Sequence, residues 1–127
     1  MIPKYRAWSK SRERFERIQQ LVWHRDELTR VITSFKSVIH TNLPEDVILM
    51  QYTGQKDCNN SKIFDADILL EPWTGRIVGR VFYSLGNLAW KVLLVGGGEE
   101  YLSDCLDSEV CGNIHENPDL MEELGDG

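Results

Sequence analysis

Most side chains that do protein chemistry are present in this chain, but few fall at a spacing that a reaction requires. Asp65 and Asp67 stand two apart in a stretch that reads as extended, and alternation along a strand turns both carboxylates to one side. Such a pair can hold a cation or divide the roles of acid and base. Sixteen Asp or Glu follow Thr41, so the pair also arises from composition alone, and a solvated rim accounts for it more simply. Cys105, Cys111 and His115, with Cys58 as a fourth donor, make up the donor set of a tetrahedral zinc site. No Cys-x-x-Cys knuckle gathers them, so they read as ordinary thiols and a surface histidine, and no metal is expected. His24, His40 and His115 lack the His-Glu-x-x-His spacing, and no Gly-x-Ser-x-Gly elbow occurs. Gly96-Gly97-Gly98 runs into Glu99-Glu100, whose charge repels a phosphate. The chain is therefore read as non-enzymatic and without a cofactor.

Binding has more behind it than catalysis. Lys4, Arg6, Lys10, Arg12, Arg14 and Arg17 are interleaved with Tyr5, Trp8, Phe15 and Trp23. Cations for phosphates and flat faces for bases are what single-stranded nucleic acid needs, which makes Lys4, Arg6, Trp8, Arg12 and Arg14 candidate binding residues. The plainer reading puts the aromatics in the core and leaves the cations as a solvated edge that resists strand-to-strand association. Through His40 there are nine Lys or Arg against four Asp or Glu, whereas from Thr41 there are five against sixteen. The acidic remainder repels nucleic acid, and the polarity itself can steer partners or join copies of the chain. A homo-oligomer is expected.

The elements that must position these residues read as strands. With 127 residues, 42% hydrophobic and 27% charged, the chain fits one globular domain over 1–127. No apolar run approaches the roughly 20 residues that span a bilayer, and the charged amino end lacks a signal peptide's apolar stretch. Together with three cysteines, an odd number that suits free thiols, this places the protein in the cytoplasm. Residues 4–8 form a short strand closed by Ser9-Lys10-Ser11. Phe15, Ile18 and Val22 keep helical spacing, but Leu21-Val22-Trp23 and Leu28 to Thr33 flank Arg25-Asp26-Glu27 as strands flank a turn, and a hairpin is favoured. Val47 to Thr53 suits a buried strand, Asn59-Asn60 a left-handed turn, and Ile63 to Leu70 an extended run. Arg76 to Tyr83 and Leu88 to Val95 pair through Ser84-Leu85-Gly86-Asn87, and the three glycines end the second strand. Asn117 as cap, Pro118 at the first position and Asp119 open a short helix that Gly125 stops. The fold class is mainly β (α+β): a small barrel or curled antiparallel sheet with that helix laid against it.

Three blocks also resemble a known family. Lys4-Tyr5-Arg6-Ala7-Trp8 is similar to its opening, and Val47-Ile48-Leu49-Met50-Gln51-Tyr52-Thr53-Gly54 leads through Lys56-Asp57, Asn59 and Ile63-Phe64 to Asp67-Ile68 as its centre does. Gly112-Asn113-Ile114-His115-Glu116-Asn117-Pro118-Asp119-Leu120 resembles its closing Gly-Asn-Ile-Tyr-Glu-Asn-Pro-Glu-Leu. The family is the YopX-like group of phages and prophages. That resemblance implies a largely β fold, a phage origin and no generally assigned activity, and it adds Gln51, Tyr52, Asp57 and Asp67 as candidate binding positions.

This chain departs from the pattern at several places. Ser9 stands for the family's Asp, Asn59-Asn60 for Asn-Gly, His115 for Tyr, and Asp65-Ala66-Asp67-Ile68 for Glu-Gly-Asp-Ile. A left-handed Ala66 would cost about 1 kcal/mol or more, so a negative φ is predicted there. The function implied is that of an accessory protein binding a host or phage protein, including antagonism of a host-defence factor, for instance by acidic side chains that imitate DNA. The alternative is nucleic-acid binding through the basic and aromatic amino-terminal face.

Overall fold

The computed structural model describes residues 5–122, which divide between two compact units, 1–51 and 52–127. In the first unit, β1 (Tyr5–Ser9), β2 (Arg14–His24), β3 (Glu27–Phe35) and β4 (Val38–Asn42) are followed by β5 (Val47–Lys56). Their order is β4-β3-β2-β1-β5, all antiparallel. The ambiguous stretch is a hairpin, with His24 opposite Glu27 and Arg25 at φ 56 in the turn. Its helix-like spacing has a local cause. One extra residue bulges between Ile18 and Gln20, so Ile18 and Leu21 oppose Thr33 and Val31 on the same side although three residues separate them. Ala7, Trp8, Val31, Val47 and Met50 are buried.

Glu16 is also buried, and it ties this unit together. Arg12 Nε donates to Oε2 at 2.6 Å and Arg12 Nη2 to Oε1 at 3.1 Å, while Arg14 Nε reaches Oε2 at 3.0 Å and Thr33 Oγ1 donates to Oε1 at 2.6 Å. Arg12 Nη2 also donates to Asn42 Oδ1 at 2.7 Å, and Asn42 Nδ2 donates to the Val31 carbonyl at 2.8 Å. The β1–β2 turn, β2 and β3 thus meet at one carboxylate, and β4 is joined to it through Arg12.

In the second unit, the far half of β5 pairs with β6 (Lys62–Phe64). A five-stranded antiparallel sheet then runs in the order β10-β9-β8-β7-β11. It comprises β7 (Asp67–Leu70), β8 (Ile77–Ser84), β9 (Ala89–Leu94), β10 (Glu99–Tyr101) and β11 (Glu109–Asn113). Ile63, Leu69, Val81, Val92, Leu102 and Cys105 form its buried cluster. A Cβ at Gly79 would strike the Leu93 carbonyl, so the β8–β9 pairing depends on that glycine.

Four expectations are corrected here. The strands form two antiparallel sheets and no closed barrel among the described residues. The carboxyl-terminal helix is a single turn, Asp119–Glu122, while Leu124 and Gly125 lie outside the described residues. The run Ile63 to Leu70 is broken into β6 and β7, so Asp65 sits in a turn and does not alternate with Asp67 along one strand. Ala66 has φ 72, not a negative value. Its N–H donates to the Val81 carbonyl at 3.0 Å and its own carbonyl accepts from Ile114 N–H at 3.1 Å. Two backbone bonds offset a left-handed cost of about 1–2 kcal/mol. Asn60, at φ 65, is left-handed as its residue type suggests. Among the described residues no helix is long and apolar enough to cross a membrane.

The Glu16 network makes stability depend on pH. Burial raises the Glu16 carboxyl, but hydrogen bonds from Arg12, Thr33 and Arg14, with the charge of Arg12, outweigh it and hold the group at about 2, below its ordinary 4.5. A depressed folded value means stability that is present above the unfolded value and lost as pH falls through the folded one, worth about 3 kcal/mol at neutral pH. Urea unfolding at pH 7 should find Glu16→Gln less stable by about 2–3 kcal/mol. Between pH 4.5 and 2 the wild type should lose that advantage, and the two proteins should converge.

Candidate functional site

Lys4 lies outside the described residues, and Arg6, Trp8, Arg12 and Arg14 are engaged with their own unit, whereas Lys10 and Trp23 are exposed. Trp8 is 7% exposed and meets Phe15 edge-on at 5.0 Å. The Arg6 guanidinium lies 4.2 Å over the same Phe15 ring, and that of Arg14 lies 3.8 Å over Phe35. Arg12 is held by Glu16 and Asn42. Strand alternation brings these cations and rings together, but it pairs them with one another before any base arrives. Arg17 and Lys36 instead border an open groove of about 540 Å³, with Gln19, Ser34, Phe35, Ser37 and Ile39.

The family-motif carboxylates turn inward as well. Asp57, 7% exposed, follows β5, and its Oδ1 accepts the N–H groups of Asn59 and Ser61, each at 2.9 Å. Its Oδ2 accepts Val110 N–H at 2.9 Å, which fastens the β5–β6 turn to β11. Asp67 is fully buried, and its Oδ2 accepts Phe64 N–H at 2.8 Å. Opposite it in the β7–β11 ladder stands Asn113, whose Oδ1 accepts from His115 and Glu116 N–H at 2.9 and 2.8 Å. The central and closing motif blocks therefore meet at one strand pair. Gln51 opposes Tyr5 in the first unit, and the Tyr52 ring packs at 5.6 Å from Phe64 with Lys62 Nζ 5.5 Å from it.

The cysteines stay neutral. All three are free. Burial, with Glu100, Asp107 and Asp104, pushes the Cys105 thiol up to about 11. Partial desolvation and the Asp57 and Glu109 charges raise Cys58. Burial, followed by Glu109 and Asp67, raises Cys111 despite its own backbone hydrogen bond. Thiols shifted this way are poor nucleophiles and poor metal ligands. Among the described residues no group of three His, Cys, Asp or Glu is placed to hold a metal. Cys111 does border an open cleft of about 790 Å³, lined also by Leu70, Glu71, Arg76, Ile77, Val95 and Leu120. There its thiol donates to the Ile68 carbonyl at 3.5 Å.

The end of the β8–β9 hairpin has a different character. Leu85 is 80% exposed, Leu88 76% and Tyr83 41%, so three apolar side chains at or beside one turn face solvent. The turn is pinned. Asn87 N–H donates to Ser84 Oγ at 3.2 Å, Lys91 Nζ donates to Asn87 Oδ1 at 3.2 Å, and Tyr83 packs edge-on against Trp90 at 5.2 Å. Leu88 also takes φ 49, a conformation that favours Gly or Asn. Sequence reasoning found this hairpin but passed over its leucines. The signal was available: two leucines bracket Gly86-Asn87 where polar turn residues suffice.

These features define a small, mainly β protein in which motif carboxylates fasten backbone and an apolar turn faces solvent. Residues 4–122 match the family model described as YopX protein, and the chain belongs to that family. The match spans both units. The crystal structure of protein EF1440 from Enterococcus faecalis has the same fold, with a TM-score of 0.63 and 24% identity over 95% of this chain and 99% of that one. A comparison with curated proteins finds no match.

Removing the Asp57 carboxylate should be costly, because three N–H groups lose their acceptor together. Asp57→Ala is expected to lower stability by about 3 kcal/mol. Hydrogen exchange should show Asn59, Ser61 and Val110 amides deprotected well before those of β8 and β9.

Proposed function

We propose that this protein acts without catalysis of its own, in the cytoplasm of a bacterial host, by binding another protein of phage or host through the end of the β8–β9 hairpin. A host-defence factor is the partner class such a protein would engage as a counter-defence inhibitor. The observation that carries this reading is Leu88. It combines a left-handed backbone, which the hairpin turn needs, with a 76% exposed apolar side chain, which the turn does not need. A residue that costs stability and is held in a pinned turn is the mark of a surface kept for contact. The commitment of Asp57 and Asp67 to backbone amides, and the raised thiols, are in keeping with a non-enzymatic role.

The nucleic-acid alternative retains Arg17 and Lys36 at the groove in the first unit, whereas Trp8 and Arg12 would have to leave their present partners.

Leu88→Asn should raise stability by as much as about 1 kcal/mol in urea unfolding, since Asn tolerates a left-handed φ. Leu85→Asn with Leu88→Asn should then be compared with wild type in capture from infected and uninfected lysates, with and without nuclease. A protein retained after nuclease by wild type and reduced at least ten-fold by the double variant is the expected result. Equal capture by both proteins would remove the hairpin from the reading. Recovery that nuclease abolishes would favour nucleic acid.

A further inference from the structure

Four strands end the sheets: β4, β6, β10 and β11. A strand at an edge offers alternate N–H and C=O groups to any extended chain, and proteins blunt that invitation with charge, proline or short length. β6 carries Lys62, β10 carries Glu99 and Glu100, and β11 carries Glu109. β4 reads Val38-Ile39-His40-Thr41-Asn42, with no Lys, Arg, Asp, Glu or Pro. Its apolar side chains are in the open, Val38 at 55% and Ile39 at 67%, and Leu43 just beyond it at 42%. Of the four edges it is the one without a gatekeeper.

Charge at its two ends says what fits. Exposed Lys36 precedes β4, and exposed Glu45 and Asp46 follow it. A parallel copy would set like charges together. An antiparallel copy sets Lys36 beside the other chain's Glu45 and Asp46, and the two-fold axis repeats the match. We propose that the protein forms a two-fold dimer in which β4 of each copy extends the other's sheet. Because the contact is isologous, pairing two copies consumes both β4 edges and the assembly stops at two.

Light scattering at micromolar concentration should give the mass of a dimer. Ile39→Lys alters a solvent-exposed side chain, so the monomer fold should persist by circular dichroism, while two cations placed on the shared strand pair raise the dimer Kd at least about ten-fold. Lys36→Glu should weaken the dimer several-fold, and adding Glu45→Lys and Asp46→Lys in the same chain should restore it, which a lost intrachain contact would not predict. A monomeric wild type, or a dimer indifferent to Ile39→Lys, overturns the proposal. Leu85→Asn with Leu88→Asn should leave the dimer intact, so this inference stands or falls separately from the hairpin reading.

Discussion

Backbone amides at turns and strand ends must find acceptors, and in a chain built almost wholly of strands there are many of them. This protein meets the requirement with short side chains. Asp57 alone accepts three N–H groups from two separate pieces of chain, and Asn113 caps the His115 and Glu116 amides beyond β11. Asp67 accepts the Phe64 amide just before the turn at Asp65-Ala66. In the first unit, Glu16 does the same work for side chains, gathering Arg12, Arg14 and Thr33. Each acceptor is almost fully buried, where losing a partner is expensive.

It follows that not every carboxylate of an acidic sequence belongs to the surface. Two carboxylates, Asp57 and Asp67, are consumed in holding backbone, and both fall in the family's motif blocks. The resemblance was therefore strongest where the fold needs particular residues. Motif positions such as Asp57, Asp67 and Asn113 report on architecture, and the search for a functional surface has to move to residues outside them. The same applies to the cations. Arg6, Arg12 and Arg14 are spaced as a binding face in the sequence, yet cross-strand neighbours bring Phe15, Glu16 and Phe35 beneath them.

Local features were legible in the sequence, and long-range ones were not. The turn at Arg25-Asp26, the left-handed Asn60 and the glycine stop after β9 follow from residue type and alternation. Ala66 misled because alanine's resistance to positive φ is small beside two backbone bonds, and their partners at Val81 and Ile114 are remote in sequence. Two sheets in place of a barrel has the same origin: alternation tells which face of a strand is apolar, but not which strands pair. The break between β6 and β7 was hidden because Ile63-Phe64 and Ile68-Leu69-Leu70 are apolar on both sides of a turn that lacks Gly or Pro. At the candidate site, the hairpin could be read but its exposure could not, since a leucine beside a turn is as often folded back as presented.

Two parts of this molecule run against the economy of the rest. Elsewhere the buried carboxylates are paired, and the edges β6, β10 and β11 are guarded by charge. At Leu88 the chain keeps an apolar residue in a conformation that a smaller polar one would adopt at less cost, and at β4 it leaves an apolar edge without charge. Neither departure is forced by a neighbour, because both sets of side chains are solvent-exposed. Local rules broken where packing does not require it are where contacts outside the chain should be sought. The two places differ in kind. The hairpin end offers side chains on a stiff turn, suited to a pocket on another protein, whereas β4 offers backbone along a line, suited to another strand. A single protein can carry both because they draw on different chemistry, one on buried apolar area and the other on a hydrogen-bond ladder whose register charge selects.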